Sequence, residues 1–193
     1  MPQKRIFIEG GFYFITCRTL QQHKIFCSDF VIKLFLEVLD YCRSKLHFVL
    51  LAFVVLPDHI HLLICPNERN TISDVIRHIK GRFARQYNLA VTEDEFLGYQ
   101  KRNKQLTAVA EEFILGDQQE EFILGDQQQP EDNTIWQKSF YDRIICSEQQ
   151  FENIVNYIDY NAVKHGLVKN PEDWLYSSYQ NRYNTGKAII SID

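Results

Sequence analysis

The chain has 193 residues, 45% of them hydrophobic and 13% aromatic, with a formal net charge of −4. This composition excludes a disordered chain, and the length fits a single domain over residues 1–193 with room for an insertion or a tail. The longest apolar run, Phe48 to Pro57, falls well short of the roughly 18 residues a membrane span needs, so no membrane partner is expected.

The negative charge argues against nucleic acid only until its distribution is considered. Between Thr92 and Asn133 there are eleven acidic and three basic residues, whereas the rest of the chain has 14 acids and 18 bases. A mildly basic body with one acidic insertion is compatible with a phosphate-binding surface. The five cysteines (Cys17, Cys27, Cys42, Cys65, Cys146) are scattered and form no CxxC pair. They are therefore expected to be reduced thiols, mostly filling the core of a cytoplasmic protein. The first residues, Met-Pro-Gln-Lys-Arg, lack the apolar core of a signal peptide.

Taken in chain order, Gly11 to Arg18 mixes aromatic and β-branched residues after a Gly-Gly turn and predicts a first strand. Asp29 is expected to cap a helix to about Lys45, with Val31, Leu34, Phe35, Val38, Leu39 and Cys42 at helical spacing. His47 to Leu56 is a fully apolar strand broken by Pro57-Asp58, and His59 to Cys65 is the next strand. Thr71 or Ser73 opens a helix through about Tyr87 that carries Arg77, Lys80, Arg82 and Arg85.

Regularity then stops. Residues 92–133 form the acidic insertion and contain a tandem duplication, EEFILGDQQ at 111–119 and again at 120–128. Two nine-residue copies are too short to stack as a solenoid, and a surface loop tolerates such lengthening at little entropic cost. Ile135 to Ile145 predicts a last strand, and Ser147 starts a helix running to about Lys164 and ended by Gly166. A tail over about 167–193 follows, with Pro171, Trp174 and Tyr179 as docking residues. The order predicts an α+β, ferredoxin-like fold: a four-stranded antiparallel sheet with helices packed on one face.

His59 and His61 are two apart on a strand, so their imidazoles share a face at a spacing suited to one divalent cation. A pair of histidines that merely hydrogen-bond fits the same spacing. Tyr157 and Asn161 stand four apart on the last helix and share its face. A helix packed across the sheet would deliver Asn161 as an oxygen ligand with Tyr157 beside it. A phenol becomes a useful nucleophile when a neighbouring cation favours its oxyanion. Ordinary packing is the competing role for any of ten tyrosines. Lys80, Arg82 and Arg85 on one helix, with Arg143 and Lys164 elsewhere, are candidate phosphate contacts, and Phe83, Tyr87, Phe140 and Tyr141 are candidate stacking platforms.

Three segments together, VVLPDHIHLLI, IWQKSFYDRII and YIDYNAVKHGLVKNPEDWLYSSY, resemble the single-tyrosine HUH transposases, specifically the REP-associated tyrosine transposases. His59-Ile60-His61 fits the His-hydrophobic-His name, and the opening RIFIEGGFYFITCRT is similar to that family's first strand. The resemblance spans roughly residues 5–88 and 135–180. It implies Mg²⁺ or Mn²⁺ held by His59, His61 and Asn161, with Tyr157 as nucleophile on single-stranded or hairpin DNA. The products implied are a 5′-phosphotyrosine link and a free 3′-hydroxyl, which rejoin without a nucleotide cofactor. Family substrates are palindromic hairpins beside a short guide tetranucleotide.

This chain departs from the family by Asn161-Ala162 in place of Asn-Pro and by its long insertion. Asp58 stands where Asn or Glu is more common, a change expected to be without consequence. The helix bearing Tyr157 is expected either to serve its own subunit or to be exchanged in a homodimer. The competing functions are a metal phosphodiesterase with water as nucleophile and a nucleic-acid binding module without chemistry. The strand aromatics lack the RNP pattern that such a module displays.

Overall fold

The computed structural model describes residues 8, 10–92, 135–183 and 185–193. The acidic insertion and its duplication lie outside the described residues. Four strands, β1 (Phe12–Arg18), β2 (Val49–Leu56), β3 (His59–Cys65) and β4 (Tyr141–Ile145), form one sheet in the order β2-β3-β1-β4. Every neighbouring pair is antiparallel. Helices α1 (Asp29–Leu46) and α2 (Ile72–Thr92) connect them in the βαββαβ order of a ferredoxin-like fold.

Local chemistry explains the boundaries. Ser28, not Asp29, caps α1, because its hydroxyl accepts from the Val31 N–H while Asp29 occupies the first turn. Thr71 caps α2 in a reciprocal box: its hydroxyl accepts from the Asp74 N–H, and the Asp74 carboxylate accepts from the Thr71 N–H. The Ile135–Ile145 strand shortens to β4, preceded by an isolated bridge between Thr19 and Trp136.

Helices α1 and α2 cover one face of the sheet, where Tyr13, Ile15, Phe53, Val55, Ile60 and Leu62 meet Phe35, Leu39, Ile76 and Phe83. Phe26, Phe35, Phe83 and Trp136 interlock there with ring centroids 5.3–6.2 Å apart. The final helix takes the other face. β2 and β3 are apolar at nearly every position, so both faces need cover. Phe14, Ala52, Val54 and Leu63 receive it from Ile158 and Ala162, with Phe151 and Val155 alongside. The expected helix to Lys164 is broken at Tyr160 (φ −94, ψ 7) into α3 (Glu148–Asp159) and α4 (Asn161–Lys164). Gly166, at φ +67, then closes a Schellman turn in which Leu167 N–H donates to the Ala162 carbonyl.

The tail shields β2, which would otherwise be an open edge. Val55 and Tyr176 are joined by a backbone bond of 2.9 Å, Ser178 N–H donates to Phe53, and the Trp174 indole donates to the Val55 carbonyl. Asp193 bonds Leu50 through both backbone and side chain. Of the expected docking residues, Pro171 is buried and Trp174 is engaged, whereas Tyr179 stacks on Tyr183. A short helix, α5 (Tyr179–Arg182), ties this tail to α3. Arg182 grips the buried Asp159 carboxylate at 2.7 and 3.0 Å and also donates to the Leu51 carbonyl and the Ser178 hydroxyl.

Among the described residues, no helix is long and apolar enough to cross a membrane. All five cysteines are free, but only Cys17 and Cys42 are buried, so fewer fill the core than expected. Removing one member of the Asp159–Arg182 pair strands a buried charge. Arg182→Ala is therefore expected to lower unfolding stability by about 3–5 kcal/mol, measured by urea denaturation. A loss below about 1 kcal/mol would mean that the pair is spectator chemistry.

Candidate active site

Because β3 alternates, His59 and His61 face α3 while Ile60 and Leu62 enter the opposite core. Both imidazoles are buried, with ring centroids 4.9 Å apart. Each is fixed at Nδ1. Asp58 Oδ1 lies 2.6 Å from His59 Nδ1, and Thr16 Oγ1 lies 2.9 Å from His61 Nδ1. Thr16 is the cross-strand partner of His61, and Asp58 closes the turn before His59. The Asp58 carboxylate thus fixes the orientation of the first imidazole.

Burial pushes the His61 imidazole down to about 3, and the charges of His59 and Arg18 push the same way. Burial also lowers His59, opposed by its bond to Asp58. The pair therefore stays neutral near pH 7 and keeps its lone pairs. His61 Nε2 is buried without a hydrogen-bond partner, as are both Oδ1 and Nδ2 of the fully buried Asn161. Three such orphaned atoms are costly unless something else engages them.

Tyr157 sits against His61. Its ring centroid is 5.3 Å from that of His61, and Phe14 stacks on His61 at 5.2 Å while meeting Tyr157 edge-on at 5.8 Å. The Lys164 ammonium lies 4.9 Å from the Tyr157 ring centre. All these contacts are made within one chain. His165, which the sequence reading passed over, comes within 5.2 Å of His59, centroid to centroid. Its position, four after Asn161 and eight after Tyr157, was the available signal. Phe14 and Thr16 became recognisable only once strand register was known.

A family model described as "Transposase IS200 like" matches residues 10–104, which include the His59–His61 strand. Over 91% of this chain and 84% of its own length, a Haemophilus influenzae relative bearing the name REP-associated tyrosine transposase is 28% identical. The Escherichia coli REP-associated tyrosine transposase is 23% identical over 98% of this chain and 88% of that protein. The chain belongs to the IS200-like transposase family. It is thus an enzyme of the DNA-cleaving, strand-transferring class, on the REP-associated tyrosine branch. A solved structure of a REP-associated tyrosine transposase bound to a REP hairpin shares the fold, with a TM-score of 0.64 at 21% identity, covering 100% of this chain and 92% of that one.

The basic residues of this transposase divide by face. Lys164 is at the site, and Arg143 is exposed on the same sheet face, opposite Phe14 in register. Lys80, Arg82 and Arg85 belong to α2, on the other face. Lys80 donates to the Gln137 carbonyl at 2.6 Å, and Arg82 lies over the Tyr41 ring at 3.6 Å, so both work inside the fold. Arg85 is exposed but away from the histidines. Phe83 is a buried core ring rather than a stacking platform.

The depressed His61 has a measurable signature in chelator-treated protein. Above pH 6.5 neither folded nor unfolded His61 carries a proton, so it does not affect stability. As pH falls from about 6.5 toward 3, the unfolded chain takes a proton that folded His61 refuses. Stability then drops by up to about 1.4 kcal/mol per pH unit from this group. Urea denaturation across this range is expected to show the slope, and His61→Gln to flatten it by about that amount. An identical slope in the variant would mean that His61 is open to water.

Proposed function

We propose that this transposase nicks and rejoins single-stranded, hairpin-flanked DNA with Tyr157 as nucleophile, beside a divalent-cation site formed by His59, His61 and Asn161. The observation that carries this reading is His61 Nε2, buried without a partner beside the Tyr157 ring, together with the equally unpartnered amide of Asn161, four residues after Tyr157. Two imidazole nitrogens and an amide oxygen fit a divalent cation such as Mn²⁺ or Mg²⁺. Among the described residues no group of three or more His, Cys, Asp or Glu is placed to bind a metal, so the amide is needed to complete the set. When bound, the cation supplies Lewis acidity at a phosphate oxygen.

The chain's own residues perform the rest. Phe14 packs against both His61 and Tyr157 and limits the phenol's swing. Asp58 and Thr16 hold the imidazoles by Nδ1, which leaves the Nε2 atoms to serve a cation. Tyr157 Oη attacks phosphorus, the bond from phosphorus to the 3′ oxygen breaks, and the phenol proton is balanced by the one gained on the released 3′-hydroxyl. The 5′-phosphotyrosine preserves the phosphodiester energy. Attack by a 3′-hydroxyl reverses the step and restores the phenol, so no nucleotide cofactor is consumed.

The similarity to transposases named for REP elements, and to one solved on a REP hairpin, supports hairpin DNA as the substrate class. The juxtaposition within one chain favours cis attack, without a requirement for a homodimer. Arg143 and Lys164 on the site face are the proposed phosphate contacts, with Arg85 a more distant one. Free thiols agree with a cytoplasmic setting.

Incubation of wild-type protein with end-labelled hairpin DNA and Mn²⁺, followed by a denaturing gel, is expected to give a protein-linked band. Tyr157→Phe should abolish that band and the nick together, and His61→Ala should reduce both by at least about a hundredfold. Cleavage that survives in Tyr157→Phe would assign the nucleophile to water and sink the phosphotyrosine mechanism.

A further inference from the structure

We propose that Arg18 and Tyr141 build a nucleotide subsite beside the histidine pair, where the guanidinium binds a phosphate of single-stranded DNA and the phenol ring stacks on the adjoining base. The inference rests on the transposase reading and deepens it by naming the groups that hold the strand. Neither residue was among the expected phosphate contacts, although Tyr141 was among the candidate platforms.

Register supplies the first observation. Arg18 pairs with His59, and Thr16 pairs with His61 on one side and with Tyr141 on the other. Strand alternation therefore brings Arg18, Thr16 and Tyr141 to the face that carries the imidazoles. His61, Thr16 and Tyr141 run in one row across the sheet, with His59 and Arg18 in the adjacent row.

A cavity of about 210 Å³ supplies the second, lined by Thr16, Arg18, Gln137, Ser139, Phe140 and Tyr141. Its origin lies in the backbone. Gln137 N–H donates to the Arg18 carbonyl at 2.9 Å, after which the chain leaves β1 and resumes pairing only at Tyr141. Lys80 anchors this excursion by donating to the Gln137 carbonyl, so the recess is braced from behind. It is smaller than a pocket for a drug-sized molecule and on the scale of one nucleobase. Thr16 links it directly to the site, since the same side chain holds His61.

Charge supplies the third. Arg18 is exposed, and among the described residues it enters no ion pair. Its place opposite His59 in the register sets it beside the histidine pair. An unneutralised arginine opposes the loading of a second cation nearby. A phosphate arriving on the strand removes that repulsion and receives a charge-assisted hydrogen bond. Tyr141 is 57% exposed and braced by edge contact with Phe14 at 6.4 Å, a supported aromatic surface of the kind that stacks unpaired bases.

The test uses full-length protein carrying Tyr157→Phe, so that bound DNA stays whole, and a single-stranded thymidine decamer with one central 2-aminopurine at low salt. Binding is expected to quench the probe, and Tyr141→Ala to remove most of the quench at saturation. Arg18→Ala should weaken binding about tenfold and reduce the salt slope by about one, with the saturating quench retained and Arg18→Lys partly restoring affinity. Both side chains are exposed, and circular dichroism confirms that each variant folds. A quench unchanged in Tyr141→Ala, or affinity and salt slope unchanged in Arg18→Ala, overturns the subsite. The mechanism fails separately: wild-type protein that binds with the full quench but yields no Tyr157 adduct would retain the subsite and lose the chemistry.

Discussion

Three polar atoms buried without partners, His61 Nε2 and the two ends of the Asn161 amide, set the terms for the rest of this structure. In a folded domain such atoms are normally hydrogen-bonded, and each costs about 1–3 kcal/mol when it is not. Here the surrounding groups do not relieve the cost; they maintain it. Asp58 and Thr16 bond the far nitrogens of the imidazoles, Phe14 stacks against His61, and apolar residues of α3 and α4 close over the sheet. The site is pre-organised at the expense of stability, as expected where binding must be specific and geometry fixed.

That expense is offset by how firmly α3 is held. Its apolar stripe covers the second face of the sheet, and Asp159, two residues after Tyr157 and two before Asn161, is gripped by Arg182. The break at Tyr160 lies between the proposed nucleophile and the proposed amide ligand, so the two need not follow one helical axis. The tail paired along β2 therefore does more than blunt an edge strand. Through Arg182 it fixes the tyrosine helix against the sheet.

Much of this was legible in the sequence. The β2 and β3 runs, the helical spacing of α1, and the His59–His61 and Tyr157–Asn161 spacings each follow from short-range periodicity, and the structure sets His59, His61 and Tyr157 side by side. What escaped depends on long-range pairing. Helices on one face is what the βαββαβ pattern alone implies, but uninterrupted apolar character in β2 and β3 requires cover on both. Thr16 and Arg18 acquire meaning only when the β1–β3 register sets them against His61 and His59. Lys80 and Arg82 read as a basic helix face because a one-dimensional pattern does not reveal that the Gln137 carbonyl and the Tyr41 ring lie within their reach. The residues 92–133, with most of the acidic excess, had no such periodicity to read.

Local charge explains how a chain of net −4 can serve a polyanion. The three proposed ligands are neutral side chains, so they contribute no negative charge to the space a phosphate would enter. The Asp58 carboxylate is engaged by Nδ1 of His59. Lys164 stands over the Tyr157 ring, and Arg18 stands beside the histidines, so cationic groups flank the site from α4 and from β1. Most of the acidic excess is concentrated in the segment between α2 and β4 rather than spread over the described body. At physiological ionic strength charges interact over roughly 8 Å, so the partner is chosen by the groups within that distance and not by the total. The proposed donor set, neutral and bordered by a lysine and an arginine, suits a phosphodiester whatever sign the whole chain carries.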